Sequence, residues 1–238
     1  MRTRPLLIGL TALTLLAGCA PWHGDRDPDH GERAERGHLA TAARGDRDAA
    51  ALVVVSGATT VTVRAVDLGE DLFRISTPEH SRLVPDVVES GGRYELHLDE
   101  TGDTGPAAVE VLLDQRVRWD LRFSGGSTET LVDLGAGRVS ALDFAAGSSR
   151  IEAILPQPDG AVTVRMAGGA NTFLVGVPQQ VPVRVTAGGG AATVTVDGVR
   201  RSGIAGGTVF APPGWDTAEH RYDIDAAAGV STLTVNRR

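Results

Sequence analysis

Pairs of small residues return at an almost fixed interval through the second half of this 238-residue chain. They are Gly125-Gly126, Ala146-Gly147, Gly168-Gly169 and Gly189-Gly190, and the steps between their second members are 21, 22 and 21 residues. Gly206-Gly207 and Ala228-Gly229 roughly continue the series. A β-branched or apolar run follows each of the four pairs: Thr130–Leu134, Arg150–Leu155, Thr172–Val177 and Thr193–Val196. A unit of this length with two short strands cannot bury an apolar face alone. Stacking each unit on the next produces a continuous core, so the spacing predicts a β-solenoid-like stack with Gly-rich turns. An antiparallel sandwich with evenly spaced hairpins is the alternative that spacing leaves open.

The preceding stretch carries the same kind of pattern without the regular glycines. Val53-Val54-Val55, Thr60–Val63, Leu72–Ile75, Tyr94–Leu98, Val109–Leu112 and Val117–Leu121 alternate or run apolar between Gly, Pro and Asp, which is the signature of strands. Helical periodicity is missing beyond residue 51, so residues 51–238 are expected to form an all-β repeat domain.

The first residues read differently. Arg2 and Arg4 precede an apolar run from Leu6 to Ala17, too short to span a bilayer but suited to an export signal over residues 1–18. Leu16-Ala17-Gly18-Cys19 resembles the bacterial lipobox, which implies cleavage before Cys19 and acylation of that residue, the single cysteine of the chain. The expected protein is therefore held at the extracytoplasmic face of the cell membrane by lipid on Cys19. Residues 19–50 are polar and charged with no apolar period, and they are expected to form a disordered tether. The acids around Asp25-Arg26-Asp27-Pro28-Asp29 do not make a calcium loop, because His30 and Arg36 stand where an EF-hand needs Gly and an acid.

A net charge of −7 argues against a nucleic-acid partner, which selects basic surfaces. It also leaves the acyl group, and no polybasic patch, to hold the membrane. No Gly-x-Ser-x-Gly elbow, His-Glu-x-x-His or phosphate-binding loop is present. His97 alternates with Leu96 and Leu98 and is expected on a solvent face, while His80 reads as a loop residue. Asp216, Glu219 and His220 form the best local cluster for acid–base or metal chemistry, yet polar loops commonly look like this. Trp119 reads as core. Trp215, after Pro212-Pro213-Gly214, reads as exposed and is the candidate surface contact.

From Trp119 to Val235 the chain resembles the toast-rack β-solenoid domains of bacterial envelope proteins. These include adhesin-like proteins and the carboxy-terminal part of the cell-wall-active antibiotic response proteins of the LiaF group. The carriers are the Gly-Gly turns, Leu155-Pro156 and Val177-Pro178 at strand ends, and Arg221-Tyr222-Asp223-Ile224 with Gly229-Val230-Ser231. The resemblance brings no catalytic residue with it, and the residues themselves lead to the expectation of no metal and no cofactor. It implies a non-catalytic scaffold or interaction module that contacts envelope proteins, with a stress-related role, and an edge-to-edge homo-oligomer stays open. The alternatives are a carbohydrate- or peptidoglycan-binding module or adhesin, centred on Trp215, and a hydrolase centred on Asp216, Glu219 and His220.

Overall fold

A computed structural model describes residues 37–238. The signal segment 1–18, the lipobox with Cys19 and the tether as far as residue 36 lie outside the described residues. The described residues are all-β. Two sheets face one another, and a single 3-10 turn at Trp215–Thr217 is the only helical element among them.

The sheets are built from coils, each a strand in one sheet followed by a strand in the other. Five coils follow the chain: β2 (Ala49–Val54) with β3 (Ala58–Val66), β8 (Arg118–Phe123) with β9 (Ser127–Asp133), β10 (Arg138–Phe144) with β11 (Ser148–Ile154), β12 (Ala161–Met166) with β13 (Ala170–Val177), and β18 (Arg221–Ala226) with β19 (Val230–Arg237). Within each sheet these strands lie side by side, in parallel and in sequence order. The predicted stack is present, and the antiparallel alternative is excluded for this part of the chain.

Two excursions interrupt the series. Between β3 and β8 the chain forms β4 (Asp71–Ser76), β5 (Leu83–Ser90), β6 (Arg93–Glu100) and β7 (Ala108–Asp114). β6 and β7 make a further coil outboard of β2 and β3. Between β13 and β18 it forms β14 (Val183–Ala187), β15 (Ala191–Val196), β16 (Val199–Ile204) and β17 (Thr208–Phe210), and β14 and β15 make a coil outboard of β18 and β19. The glycine series 126, 147, 169, 190 is therefore not the spatial order. Gly229 lies between Gly169 and Gly190, because the last coil of the chain is inserted one place from the end of the stack.

Antiparallel strands finish both ends. β1 (Leu39–Ala43) pairs with β4, β4 with β7, and β5 with β6. At the other end β16 pairs with β15, and β17 with β14. β1 and the first two residues of β2 correct the tether boundary at residue 50. Composition marks residues 37–50 as unable to fold alone, but Ala40 and Ala42 pack against the core, opposite Ile75 and Phe73 of β4.

The core lies between the sheets and follows the period-two pattern. Along one sheet the inward column reads Val54, Phe123, Phe144, Met166, Ala226, Ala187 in spatial order. Phe123 and Phe144 stack with centroids 5.1 Å apart, and Phe173 of the facing sheet meets Phe144 edge-on at 5.8 Å. Trp119 is fully buried and donates its indole N–H to the Asp114 carbonyl at 3.0 Å.

Candidate functional site

The turns from one sheet to the other explain the glycines. In spatial order the first turn position holds Ser56, Gly125, Ala146, Gly168, Ala228 and Gly189. A Cβ on Gly125 would overlap the Ser56 backbone, one on Gly168 the Ala146 backbone, and one on Gly189 the Ala228 backbone. Bare glycine thus alternates with a residue that has a Cβ, letting successive turns nest. The next position holds Gly57, Gly126, Gly147, Gly169, Gly229 and Gly190. Here the N–H of the following residue donates to the neighbouring coil's glycine carbonyl, as in Ser127 to Gly147 at 3.3 Å and Ser148 to Gly169 at 3.1 Å. Along this edge Thr59, Thr128, Ser149, Asn171 and Ser231 are all exposed.

The outer sheet faces are charged, and the charges are paired across neighbouring coils. On one face Arg122, Asp143, Arg165 and Asp225 occupy consecutive strands in register. Arg122 is bonded to Asp143, and Arg165 lies 3.6 Å from Asp225. Arg184 grips both oxygens of Asp223, and that contact holds its guanidinium more firmly protonated than usual. On the other face Arg150 pairs with Glu129 of the neighbouring coil at 3.5 Å and with Glu152 of its own strand at 2.7 Å. At one end of the stack Arg116 clamps the buried Asp114 and holds its carboxyl below the usual carboxylate range.

Trp215 is not exposed: it keeps only 8% of its surface. Two guanidinium groups lie over its ring, Arg184 at 3.9 Å and Arg221 at 4.9 Å, and its indole N–H donates to the Tyr222 carbonyl at 2.8 Å. The Pro-Pro-Gly loop folds the tryptophan back against side chains 31 and 6 residues away in sequence, a placement no local pattern announces. A carbohydrate platform at Trp215 therefore lacks its accessible aromatic face.

Asp216, Glu219 and His220 are exposed. His220 accepts the Gly160 N–H on Nδ1 at 2.9 Å, which ties the loop before β18 to the turn before β12. Among the described residues no three His, Cys, Asp or Glu side chains gather to hold a metal ion. His97 is half-buried, 3.8 Å from Glu95, and His80 is exposed in a left-handed turn.

One feature was not legible in the sequence. The end bounded by β16 and β17 opens as a mouth of about 450 Å³, lined by Val183, Val196, Val199, Val209, Phe210 and Arg201, among others. Arg201 lies over the Phe210 ring at 5.2 Å. The opposite end is closed, because β1 packs against β5 and Arg47 pairs with Glu89 at 3.3 Å.

No protein-family model matches the chain, and no curated protein matches it. Solved structures do. A candidate cell adhesion protein from Clostridium sporogenes ATCC 15579 superposes with a TM-score of 0.62 at 14% identity, over 84% of this chain and 98% of that one. The likeness is one of fold. A candidate adhesin from Bacteroides fragilis NCTC 9343 aligns over 84% of this chain and 96% of its own, but at 7% identity with a TM-score of 0.27 it carries no argument.

Proposed function

We propose that this protein is a lipid-anchored, extracytoplasmic display module of the adhesin-like kind, which acts by presenting a rigid β-surface to other envelope or surface components. The observation that carries this reading is the use made of the ionisable side chains. On the sheet faces Arg122–Asp143, Arg165–Asp225, Arg184–Asp223 and Arg150–Glu129 pair across coils, so they stiffen a broad surface instead of converging on a cleft. The described depressions are open, of about 250 to 520 Å³, and are formed by strand faces and turns. The resemblance in fold to a candidate cell adhesion protein points the same way. A stress-related role of the LiaF kind rests on the sequence resemblance alone and is a narrower form of the same proposal.

The anchor is tested by Cys19→Ser in the native host. Loss of labelled palmitate from the protein, with release to the soluble fraction or accumulation of uncleaved precursor, is expected. A mature form that stays in the membrane fraction sinks the anchor. Display is tested by retention of the lipid-free protein on isolated cell envelopes, compared with retention on envelopes stripped of protein. Retention only before stripping fits protein contacts. Equal retention on purified cell wall transfers the function to carbohydrate binding.

A further inference from the structure

Four edge strands bound the two sheets, and they are not equivalent. β1 and β5 close on each other, and β5 carries Pro85, which cannot donate to a ladder. β17 is three residues long. β16, Val199-Arg200-Arg201-Ser202-Gly203-Ile204, is almost wholly exposed. Its pairing with β15 leaves alternate peptide groups facing outward, and among the described residues no strand receives them.

The chemistry along this edge has a sign. Arg200 and Arg201 are adjacent and exposed in a chain whose net charge is −7. The nearby acid, Asp197, is already held by Arg237 at 2.7 Å. Arg201 stands opposite buried Val194, so it points toward the mouth, where Val183, Val196, Val199 and Phe210 offer apolar contact. An extended segment added beside β16 finds outward peptide groups, an apolar depression on one side and a guanidinium on each face. Two copies meeting edge to edge through β16 bring four arginines together, so self-pairing is disfavoured.

We propose that the β16 edge and the adjoining mouth form a docking site for an extended acidic segment of a partner protein, taken up as an additional strand. The left-handed Gly203 departs from extended geometry near the strand end and confines the regular pairing surface to Val199–Ser202. This names a partner chemistry for the display function and rests on that reading for its biological setting only. Binding itself is measured on the lipid-free protein, so it succeeds or fails apart from the anchor.

The test is a fluorescence-anisotropy titration of the Cys19→Ser protein with the labelled peptide Val-Glu-Val-Asp-Val-Glu. Its lysine counterpart and a version with a central proline are the comparisons. Saturable binding of the acidic peptide is expected, weakened at least tenfold by Arg200→Glu, by Ser202→Pro and by the proline in the peptide, and falling with added salt. Arg200 is exposed, so Arg200→Glu is expected to keep the wild-type Tm, and Ser202→Pro serves as an independent, uncharged block. Equal binding of acidic and basic peptides, or binding indifferent to both variants, overturns the proposal. So does concentration-dependent dimerisation abolished by Arg200→Glu, which assigns the edge to a second copy. Arginine-dependent adsorption to phosphatidylglycerol vesicles without peptide binding also overturns it, in favour of lipid.

Discussion

Gly168 and Ala146 occupy the same turn position in adjacent coils, and their difference is one methyl group that only one of the two sites can hold. A methyl on Gly168 overlaps the backbone at Ala146, so Gly168→Ala forces two turns apart. The expected loss is about 1–3 kcal/mol, the range for overpacking. Gly126 at the next position has its nearest obstacle, the Gly147 carbonyl, at 3.4 Å, and Gly126→Ala is expected to cost under about 1 kcal/mol. Urea denaturation of the two variants checks the ordering, and equal losses would refute the nesting of turns. Tyr222 supplies a second residue-scale prediction. Its ring is fully buried and its hydroxyl donates to the Pro156 carbonyl at 2.8 Å, while burial pushes its pKa well above the ordinary value. The folded state therefore keeps a proton that the unfolded chain releases above pH ~10. Stability tied to this group is complete below that pH and is lost as pH rises further. Tyr222→Phe is expected to cost about 1 kcal/mol at neutral pH through the lost hydrogen bond. It should also flatten the fall in stability between pH 9 and 11, measured by denaturation at each pH.

Strands show most clearly where local pattern suffices and where it does not. β9, β11 and β13 alternate apolar and polar residues between glycine turns, and they were readable because both signals coincide in a short window. β5 was missed because Pro85 interrupts Leu83-Val84 and Val87-Val88, a break that an edge strand tolerates. β1 was missed because Leu-Ala-Thr-Ala-Ala has no apolar run of its own and takes its stability from β4. The placement of β18 and β19 between β12–β13 and β14–β15 depends on contacts across about 40 residues of intervening chain, which no window covers. A trace was nonetheless present: the turn column alternates glycine with larger residues only if Ala228 is set between Gly168 and Gly189. The same long-range logic hid the guanidinium contacts of Trp215, since Arg184 comes from β14 and Arg221 from β18. Exchange of backbone amides should follow this hierarchy. Amides of β11 and β13, paired on both sides near the middle of the stack, are expected to exchange slowest, and those of β16 fastest. Protection of β16 equal to that of β13 in the isolated protein would show that its edge is already covered.

At the scale of the whole molecule, the order of the coils decides when the fold can be completed. Among the described residues β14 pairs only with β17 and β18, and β15 only with β16 and β19. The outer coil and its two antiparallel strands therefore have no native place on the body until the last residues of the chain have arrived. A chain delivered from its amino end can stack β8 to β13 as they appear, but residues 178–220 must wait. Parallel pairing over such separations is slow, and the waiting strands are exposed meanwhile. This predicts an asymmetry between the ends. Deleting residues 37–44 removes β1, which among the described residues is paired on one side only, and should leave a cooperative unfolding transition at reduced Tm. Deleting residues 228–238 is of similar length but removes β19, an interior strand bonded to both β13 and β15. It also removes buried Val230, Leu233 and Val235 from the core and orphans the outer coil. Loss of the cooperative transition and of most soluble protein is expected. In a solenoid whose coils followed the chain throughout, both deletions would merely trim an edge, so comparable thermal transitions for the two truncations would refute the inserted position of the last coil.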